Sequence, residues 1–505
     1  MRSSVALATE TAELLGGHLL AAAPEEDVCF ALYRPSRGLE RRSGLVYDLV
    51  LPEPDERRIH GNASFTDRYF LRAAGLAADT DSGLALVHTH PAGRGWQGMS
   101  RDDVEAERGH AAQALVLTEL PLLGLTLAGD GSLSARFWDR RSGDEYRRRS
   151  CESVRVVGEQ MKLTYDEQRK PAPPSGDALT RTISAWGEAM QADLARLQIG
   201  IVGAGSVGAL VAECLARTGI EHIVLIDFDV VKPHNLDRLL FASARDALLR
   251  RPKVDVLREG LLRSATAARP RIDALPLSLV EPDGLAAALD CDVLFSCVDR
   301  PWPRLVLNQI AYAHLIPVID GGIRVDAGAG LGMQGAEWGA RVVAPGRRCL
   351  ECAGRFDAGY VQAERDGLLE DVHYLQNLPP DHPLKANENV FAFSLGAASL
   401  EVNQLLSMLV APSGLADNGG QTYHFHLGTL DRDLDDCDDG CYYSNELAAL
   451  GDGATMLVGE HQAAELARQA AAADRRSGRA RLARTADRIV RKIREAEHRL
   501  SARLH

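Results

Sequence analysis

The stretch LQIGIVGAGSVGALVAECLARTGIEHIVLIDFD, which begins at Leu197, constrains the fold more than any other part of the chain. It reads as an apolar strand, a glycine-rich turn, an apolar helix and a second apolar strand. Such a βαβ unit feeds a parallel sheet. The later runs CDVLFSCVD and LIPVIDGG continue the pattern. The sequence therefore predicts a doubly wound α/β domain in the second half of the chain.

The chain has 505 residues, more than one hydrophobic core usually serves, so we expect several domains. Residues 1–155 alternate short strand-like and helix-like runs and predict a separate α/β domain. The polar, proline-rich stretch DEQRKPAPPSGD indicates a linker over residues 156–177. The doubly wound domain then covers 178–445. An Ala- and Arg-rich helical extension follows over 446–505, with an apolar seam that suits intramolecular docking or a coiled coil (Leu482, Ala486, Ile489, Ile493, Ala496 and Leu500).

Composition excludes several classes of function. A net charge of −13 argues against nucleic-acid binding, which needs clustered Lys and Arg. Glu10 and Glu13 interrupt the start of the chain where a signal peptide would be apolar, and no long apolar run predicts a membrane span. We therefore expect a cytoplasmic protein without nucleic-acid or membrane partners.

Two histidines stand two residues apart at the end of an apolar strand in LALVHTHPAGRGWQGMSRDD. Because strand side chains alternate between faces, His88 and His90 point to the same side. Together with Asp103 they offer three zinc ligands and leave a fourth position for water, the arrangement of catalytic zinc. Ser100, three residues before Asp103, is suited to donate a hydrogen bond to an oxyanion.

These residues resemble the JAMM (JAB/MPN) isopeptidases, whose pattern is H-x-H-P, a loop and S-x-x-D, with a glutamate on an early strand as proton shuttle. The resemblance covers residues 1–155 and implies an MPN-type metalloprotease domain. For the shuttle, PEEDVCFALY offers Glu25, Glu26 and Asp27. Strand register favours Asp27, whereas the longer side chain favours Glu26, which we take. The alternative is an inactive MPN scaffold that serves only for docking.

The glycine-rich turn GAGSVG, with Gly203, Gly205 and Gly208, lies between a strand and a helix, where small residues let phosphates approach backbone amides. Asp227 and Asp229 follow at a distance suited to a ribose. These features alone fit NAD as well as ATP.

The continuation DFDVVKPHNLDR, then RRPK and SCVDRPWPR, resembles the ThiF/MoeB and ubiquitin-activating-enzyme superfamily over residues 178–445. The resemblance implies a Rossmann-like adenylyltransferase that uses ATP and Mg²⁺. It assigns Asp229 to the ribose and Asp299 to magnesium. It assigns Asn235, Arg238 and Lys253 to the phosphates, a set that an NAD-dependent dehydrogenase does not need at this spacing.

Arg181, in RTISAWG, resembles the arginine that this superfamily inserts into the nucleotide site of the partner subunit. That implies a homodimer.

Four of the nine cysteines form two close pairs. Cys349 and Cys352 with Cys437 and Cys441 could supply four thiolates to a structural zinc, as in many ThiF/MoeB-like proteins. Many relatives also carry a cysteine for a thioester before the segment that here reads ANENVFAFSLGAASLEV. This chain has Lys385 near that place instead, so we expect the reaction to stop at the acyl-adenylate or to use a hydroxyl or a partner's cysteine.

The two resemblances together imply a bifunctional enzyme. One domain would cleave after the Gly-rich C-terminus of a ubiquitin-like protein, and the other would activate that C-terminus with ATP. By analogy with other domain fusions, such an enzyme suits a bacterial modification pathway with a conjugating-enzyme-like partner, in antiphage defence. The alternative is the activation and processing of a sulfur-carrier protein in biosynthesis.

Overall fold

The structure, a computed structural model, describes residues 1–60, 62–143, 145–327, 332–379, 382, 384 and 388–476. The strands of the first half are β1 (Arg2–Ala8), β2 (Val28–Arg37), β3 (Arg41–Val50), β4 (Arg57–His60), β5 (Asn62–Phe65), β6 (Gly83–His90), β7 (Leu122–Ala128), β8 (Leu133–Ser142), β9 (Glu145–Ser150), β10 (Ser153–Val157) and β11 (Lys162–Tyr165). Its α-helices are α1 (Thr9–Leu19), α2 (Asp67–Asp79) and α3 (Arg101–Thr118).

Nine of these strands form one mixed sheet in the order β11-β10-β1-β3-β2-β6-β7-β8-β9. Alternation along β2 gives the sheet two apolar faces. Cys29 and Ala31 pack with Leu15 of α1 on one face. Phe30 packs with Tyr69 of α2 on the other face. Helices thus cover both faces, as predicted for an α/β domain.

The predicted linker over residues 156–177 is wrong in its first part. β10 pairs in parallel with β1, and β11 pairs antiparallel with β10. Tyr165 and Asp166 are buried. The apolar side chains of KLTY find partners at the edge of the sheet, which the neighbouring prolines obscured in the sequence. The exposed connection is the stretch from Glu167 to Gly176.

The second half contains α4 (Thr180–Trp186), α5 (Glu188–Ala195), α6 (Ser206–Arg217), α7 (Ala244–Leu248), α8 (Lys253–Ser264), α9 (Pro282–Ala288), α10 (Pro301–Ala313), α11 (Ala358–Arg365), α12 (Val372–Asn377), α13 (Phe391–Val410), α14 (Tyr442–Asn445) and α15 (Gln462–Arg476). Its strands are β12 (Gln198–Val202), β13 (His222–Ile226), β14 (Arg271–Leu275), β15 (Val293–Ser296), β16 (Val318–Asp326), β17 (Gly335–Val343), β18 (Gly420–His424) and β19 (Thr429–Asp433).

These strands form an eight-stranded sheet in the order β14-β13-β12-β15-β16-β17-β18-β19. The pairs from β14 to β16 are parallel, and those from β16 to β19 are antiparallel. The strand order reverses direction between β12 and β15. In an open α/β sheet, such a point opens a crevice at the carboxyl ends of the strands. The predicted doubly wound domain is present.

Helix α13 is the one helix in the described part of the chain that is long and apolar enough to cross a membrane by length and composition alone. More than half of it is buried within the protein. Ala398 and Leu405 pack into the same core as Ile201 of β12. Its apolar character is therefore that of a core helix.

The two sheets are joined by buried charges. Asp292, just before β15, accepts hydrogen bonds from Arg41 of β3 at 2.5 Å and from Arg155 of β10 at 2.9 Å. The Ser36 hydroxyl lies 2.9 Å from His314 Nδ1 across the same joint.

The predicted C-terminal extension over residues 446–505 begins as part of the core. Leu447 and Ala449 are buried, and Ala449 belongs to an apolar cluster shared by both halves. Helix α15 follows, and the seam predicted from Leu482 to Leu500 lies outside the described residues.

Candidate functional site

The first candidate site forms where β6 ends. Both histidines, His88 and His90, project from the same face of this strand, as the two-residue spacing predicts. Asp103 lies in the first turn of α3 and faces them. Its Oδ2 atom is 3.7 Å from His88 Nε2 and 3.6 Å from His90 Nε2.

Ser100 places Asp103 through the start of α3. Its hydroxyl accepts a hydrogen bond from the Asp103 backbone N–H at 3.1 Å, and the Ser100 N–H donates to Asp103 Oδ2 at 2.7 Å. This reciprocal capping box fixes the carboxylate on the first turn of the helix. Ser100 therefore serves the local fold here, in addition to the oxyanion role predicted for it.

The donor set suits zinc. One ligand atom from each of His88, His90 and Asp103 lies within 4.8 Å of the other two. Ligands about 2.0–2.1 Å from a tetrahedral zinc are roughly 3.4 Å apart. The observed separations of 3.6 and 3.7 Å need only small movements.

Burial, with the nearby Arg136, lowers the pKa of His88 to about 3, which keeps the imidazole neutral as a metal ligand must be. Burial opposes the charged form of Asp103, but hydrogen bonds from His90 and Ser100 hold its pKa below the ordinary value.

The structure distinguishes the three acidic residues before β2. Glu25 is exposed. Asp27 is fully buried, pairs with Arg57 and accepts a hydrogen bond from the Val28 N–H at 2.7 Å. Glu26 is half-buried beside the metal-ligand set: burial and the charge of Asp103 raise its pKa, while His90 lowers it. Of the three, Glu26 is the carboxyl placed at the histidines.

A buried network behind the histidines was missed by sequence reasoning. Glu107, one turn after Asp103 on α3, pairs with Arg136 and accepts a hydrogen bond from Trp138 Nε1 at 2.6 Å. Arg136 also donates to Thr126 Oγ1 at 2.5 Å, and that hydroxyl lies 3.3 Å from His88 Nε2. The four-residue spacing of Asp103 and Glu107 places both carboxylates on one side of the helix, and this was the sequence feature that could have indicated the network.

The second candidate site lies at the carboxyl ends of β12, β13 and β15. Gly203 has φ +95°, and a Cβ there would lie 2.4 Å from the Cys297 carbonyl oxygen. A Cβ on Gly208 would lie 1.9 Å from the Gly203 oxygen. At Gly205, which precedes α6, a Cβ would meet nothing within 4 Å. Two glycines thus close the turn, and the third leaves open space at the amino end of α6, as a phosphate needs.

Two aspartates and one lysine organise this site. Asp227 accepts hydrogen bonds from the N–H groups of Ala204 at 2.8 Å and of Asp229 at 2.7 Å, so it supports the turn. Lys253 Nζ lies 2.8 Å from Asp229 and 4.0 Å from Asp227. Although burial opposes its charge, these carboxylates raise the pKa of Lys253. Lys253 is therefore a fixed cation beside the turn.

Other predicted residues surround this lysine. Asp299, exposed after β15, adds to the charges that raise the pKa of Lys253. The Asn235 side chain accepts a hydrogen bond from the Lys232 N–H at 3.0 Å and so holds its own loop. Arg238 pairs with Asp237 at 2.9 Å. Arg181 is exposed on α4.

The four cysteines of the two predicted pairs come together, with all ligand atoms within 4.8 Å of one another. Cys349 Sγ is 3.7 Å from Cys441 Sγ, close to the roughly 3.8 Å edge expected for four sulfurs 2.3 Å from a tetrahedral zinc. Backbone N–H groups of Cys349 and Cys352 donate to cysteine sulfurs at 3.1 and 3.2 Å. These donors suit thiolates, so the cluster fits zinc.

Cys297 is the thiol beside the nucleotide turn. Its Sγ donates to the buried Glu401 carboxyl at 3.3 Å. Burial and this carboxyl raise its pKa, which opposes a nucleophilic thiolate. Cys214 is exposed on α6, and Lys385 lies outside the described residues.

The fold around the second site is a doubly wound α/β domain with an open glycine turn. Residues 179–429 match the model of the ThiF family. Residues 179–429 therefore form a ThiF-family domain, and the resemblance predicted for residues 178–445 is confirmed over residues 179–429. The JAMM resemblance of the first half stays a prediction.

Curated relatives match part of the chain. The molybdopterin-synthase adenylyltransferase of Escherichia coli (strain K12) is 33% identical over 123 residues, 24% of this chain and 47% of that protein. The ubiquitin-like modifier-activating enzyme 5 of Drosophila persimilis is 25% identical over 198 residues, 36% of this chain and 50% of that protein. The chain thus spans about half the length of the curated relatives that it matches.

Solved structures that match part of the chain include E. coli MccB with ATP, at 20% identity and a TM-score of 0.41, covering 54% of this chain and 75% of that one. E. coli tRNA N6-threonylcarbamoyladenosine dehydratase, TcdA, has 21% identity and a TM-score of 0.32, covering 47% of this chain and 95% of that one.

Proposed function

We propose that the chain uses ATP and Mg²⁺ to adenylate the C-terminal glycine of a ubiquitin-like or sulfur-carrier protein. The observation that carries this proposal is the set of groups at the carboxyl ends of β12, β13 and β15 in a ThiF/MoeB-like domain: an open glycine turn, Lys253 held by Asp229, and Asp299 beside them. The names of the relatives support the substrate class, because they include a ubiquitin-like modifier-activating enzyme.

Each residue has a defined task in this proposal. The amides at the start of α6 bind phosphate oxygens, and Asp229 binds the ribose. Lys253 and Arg238 offset the charge that builds on the α-phosphate and the leaving pyrophosphate, while Asp299 would hold Mg²⁺. Asn235 keeps the loop that carries Arg238 in place. Arg181 is exposed and free to reach the nucleotide site of a second subunit, so we propose a homodimer.

The test is ATP–pyrophosphate exchange by the full chain with each small β-grasp protein encoded beside its gene. We expect exchange that needs the carrier protein and falls by at least about 100-fold in Asp299→Asn, the size of effect that follows loss of one electrostatic group. Asp283→Asn, an exposed aspartate of the same domain, is the matched control and should exchange as wild type does. Equal exchange by Asp299→Asn and wild type would refute the assignment.

We further propose that the first half is a zinc-dependent isopeptidase that processes the same ubiquitin-like protein. The convergence of His88, His90 and Asp103, with Glu26 beside them, carries this proposal. Zinc, when bound, would supply Lewis-acid activation of water and of the scissile carbonyl. Glu26 would carry the proton to the leaving amine, and the Ser100 hydroxyl would donate to the developing oxyanion.

Measuring the zinc content tests the proposed isopeptidase independently of the proposed adenylation. We expect two zinc ions per wild-type chain, one of them at the four cysteines. His90→Ala should hold one and lose cleavage of a linear ubiquitin-like fusion, yet keep pyrophosphate exchange. The exposed His373→Ala is the matched control. Two zinc ions in His90→Ala, or undiminished cleavage by it, would contradict the proposal.

The pathway to which these reactions belong depends on which protein is activated. We propose a bacterial protein-modification pathway, in antiphage defence and with a conjugating-enzyme-like partner, in the cytoplasm. Biosynthesis with a sulfur-carrier protein is the alternative, and the name of the molybdopterin-synthase adenylyltransferase favours it. Transfer of the activated modifier to protein lysines supports the first setting, whereas formation of a C-terminal thiocarboxylate with a sulfurtransferase supports the second.

A further inference from the structure

A cationic cavity of about 280 Å³ lies where the two halves of the chain meet. Its charged lining comes from three parts of the sequence: Arg2 of β1, Arg169 and Lys170 of the exposed connection, and Arg196, Glu221 and Arg269 of the second half. Five of these six side chains are cationic in a chain whose net charge is −13. Such a concentration of one sign favours an anionic occupant.

Two of the five cations already form ion pairs within the protein. Lys170 Nζ lies 3.5 Å from Asp292, and Arg196 pairs with Glu167 and Asp193 at 2.5 Å each. Among the residues that the structure describes, no ion pair is formed by the other three, Arg2, Arg169 and Arg269. The lining therefore keeps more positive than negative charge.

Some donors in this lining are buried and unsatisfied. Arg2 donates from Nη1 to Gln198 at 2.5 Å, but its Nε and Nη2 atoms are buried with no hydrogen-bond partner in the described part of the protein. The Nε atom of Arg196 is likewise buried without a hydrogen-bond partner in the described part of the protein. An unpaired buried donor is costly to the fold, and more so when it is charged. A ligand rich in acceptor oxygens would remove that cost.

Glu221 is the one carboxylate in the lining, and its Oε1 atom is buried without a partner in the described structure. It opposes the binding of an anion. A substitution of Glu221 is therefore an internal control for anion binding. Loss of its negative charge should strengthen binding, whereas loss of an arginine should weaken it.

This cavity is separate from the nucleotide site. Gln198 and His222, which line it, are the first residues of β12 and β13. The glycine turn follows the opposite ends of these strands. Each has five residues at about 3.3 Å per residue, so the two sites lie roughly 15 Å apart.

We propose that this cavity binds a small polyanion that carries two or more phosphate groups. Arginine forks match phosphate oxygens in pairs, and a volume of about 280 Å³ is at the lower end of small-molecule sites, enough for a short polyphosphate and too small for a folded partner. Because Arg2 belongs to one half and Arg269 to the other, the bound polyanion also fastens the two halves together.

Calorimetric titration of the full chain with inorganic tripolyphosphate tests the proposal, at physiological ionic strength and in a Lys253→Gln background that weakens the nucleotide site. We expect saturable binding. Arg169→Gln and Arg269→Gln should each weaken it about tenfold, the value of one charge-assisted hydrogen bond, and Glu221→Gln should tighten it severalfold. Arg263→Gln, an exposed arginine of α8 outside the cavity, is the matched control.

Three results would overturn the proposal: no saturable binding, binding that all four variants leave unchanged, or tighter binding of an acidic peptide with the same dependence on the arginines. Arg169 and Arg269 are exposed, so their variants should keep the thermal midpoint of the unliganded wild type. Pyrophosphate exchange by the same variants, made without the Lys253 substitution, should be unchanged, which separates this site from the proposed adenylation.

Discussion

Glu26 and Asp27 are adjacent in the sequence and have different surroundings. The Asp27 carboxylate is fully buried and pairs with Arg57, whereas Glu26 is half-buried beside His90 and Asp103. A carboxylate that already neutralises an arginine is a structural group. One beside the proposed zinc ligands is available for proton transfer.

Exchange of each acid for its amide separates the two roles. Glu26→Gln should keep the zinc content and the thermal midpoint of the wild type and lose cleavage by about 100-fold or more, because the proton carrier is gone. Asp27→Asn should lower the thermal midpoint, since Arg57 loses its buried partner. Cleavage rates and thermal scans of both variants measure this. The reverse pattern would make Asp27 the shuttle.

At the scale of elements, strand β6 and helix α3 are tied together beneath the first site. Glu107 of α3 holds Arg136 of β8, which holds Thr126 of β7 beside His88. A Cβ on Gly124 would lie 2.4 Å from the Glu107 carboxylate, so the glycine makes room for it. The network therefore fixes the helix that carries Asp103 against the strand that carries the histidines.

Glu107→Gln leaves the Arg136 charge buried and unpaired, which costs about 3–5 kcal/mol of stability. The matched control is Glu105→Gln on the same helix, which removes an exposed pair with Arg101 and should cost less than about 1 kcal/mol. Denaturant unfolding of the two variants gives the comparison. Equal effects would mean that the buried pair adds nothing to the fold.

Local patterns predicted most of what the elements show. Glycine spacing and apolar runs predicted the βαβ unit, and strand alternation predicted that His88 and His90 share a face. The strand β11 was missed because its four residues pair with β10 only in the folded sheet. Thr126, Arg136 and Glu107 were missed for the same reason: residues from three separate elements meet only through the register of β6, β7 and β8.

At the scale of the whole molecule, the two halves share a buried joint. Arg41 and Arg155 from the first sheet converge on Asp292 of the second half, and His314 contacts Ser36 across it. Side chains of the first half therefore have hydrogen-bond partners in the second half.

His314 makes this joint sensitive to acid. Burial lowers the pKa of its imidazole to about 4 from 6.5, so the folded protein holds it neutral. As the pH falls below 6.5, the unfolded chain takes up the proton first, and stability decreases until about pH 4. At pH 5 the loss is about 2 kcal/mol. Denaturant midpoints at pH 7 and pH 5 should differ less in His314→Asn than in wild type, and an equal difference would contradict the assignment.

The central claim is that both sites act on one C-terminus, and mass spectrometry of the modifier tests it most directly. A ubiquitin-like protein with a short extension after its terminal glycine is incubated with the chain, zinc, ATP and Mg²⁺. Wild type should remove the extension and then adenylate the exposed glycine, with release of pyrophosphate. His90→Ala should leave the extended protein intact and unadenylated, yet adenylate a version that ends at glycine. Adenylation of the extended protein, or of neither version, would contradict the account.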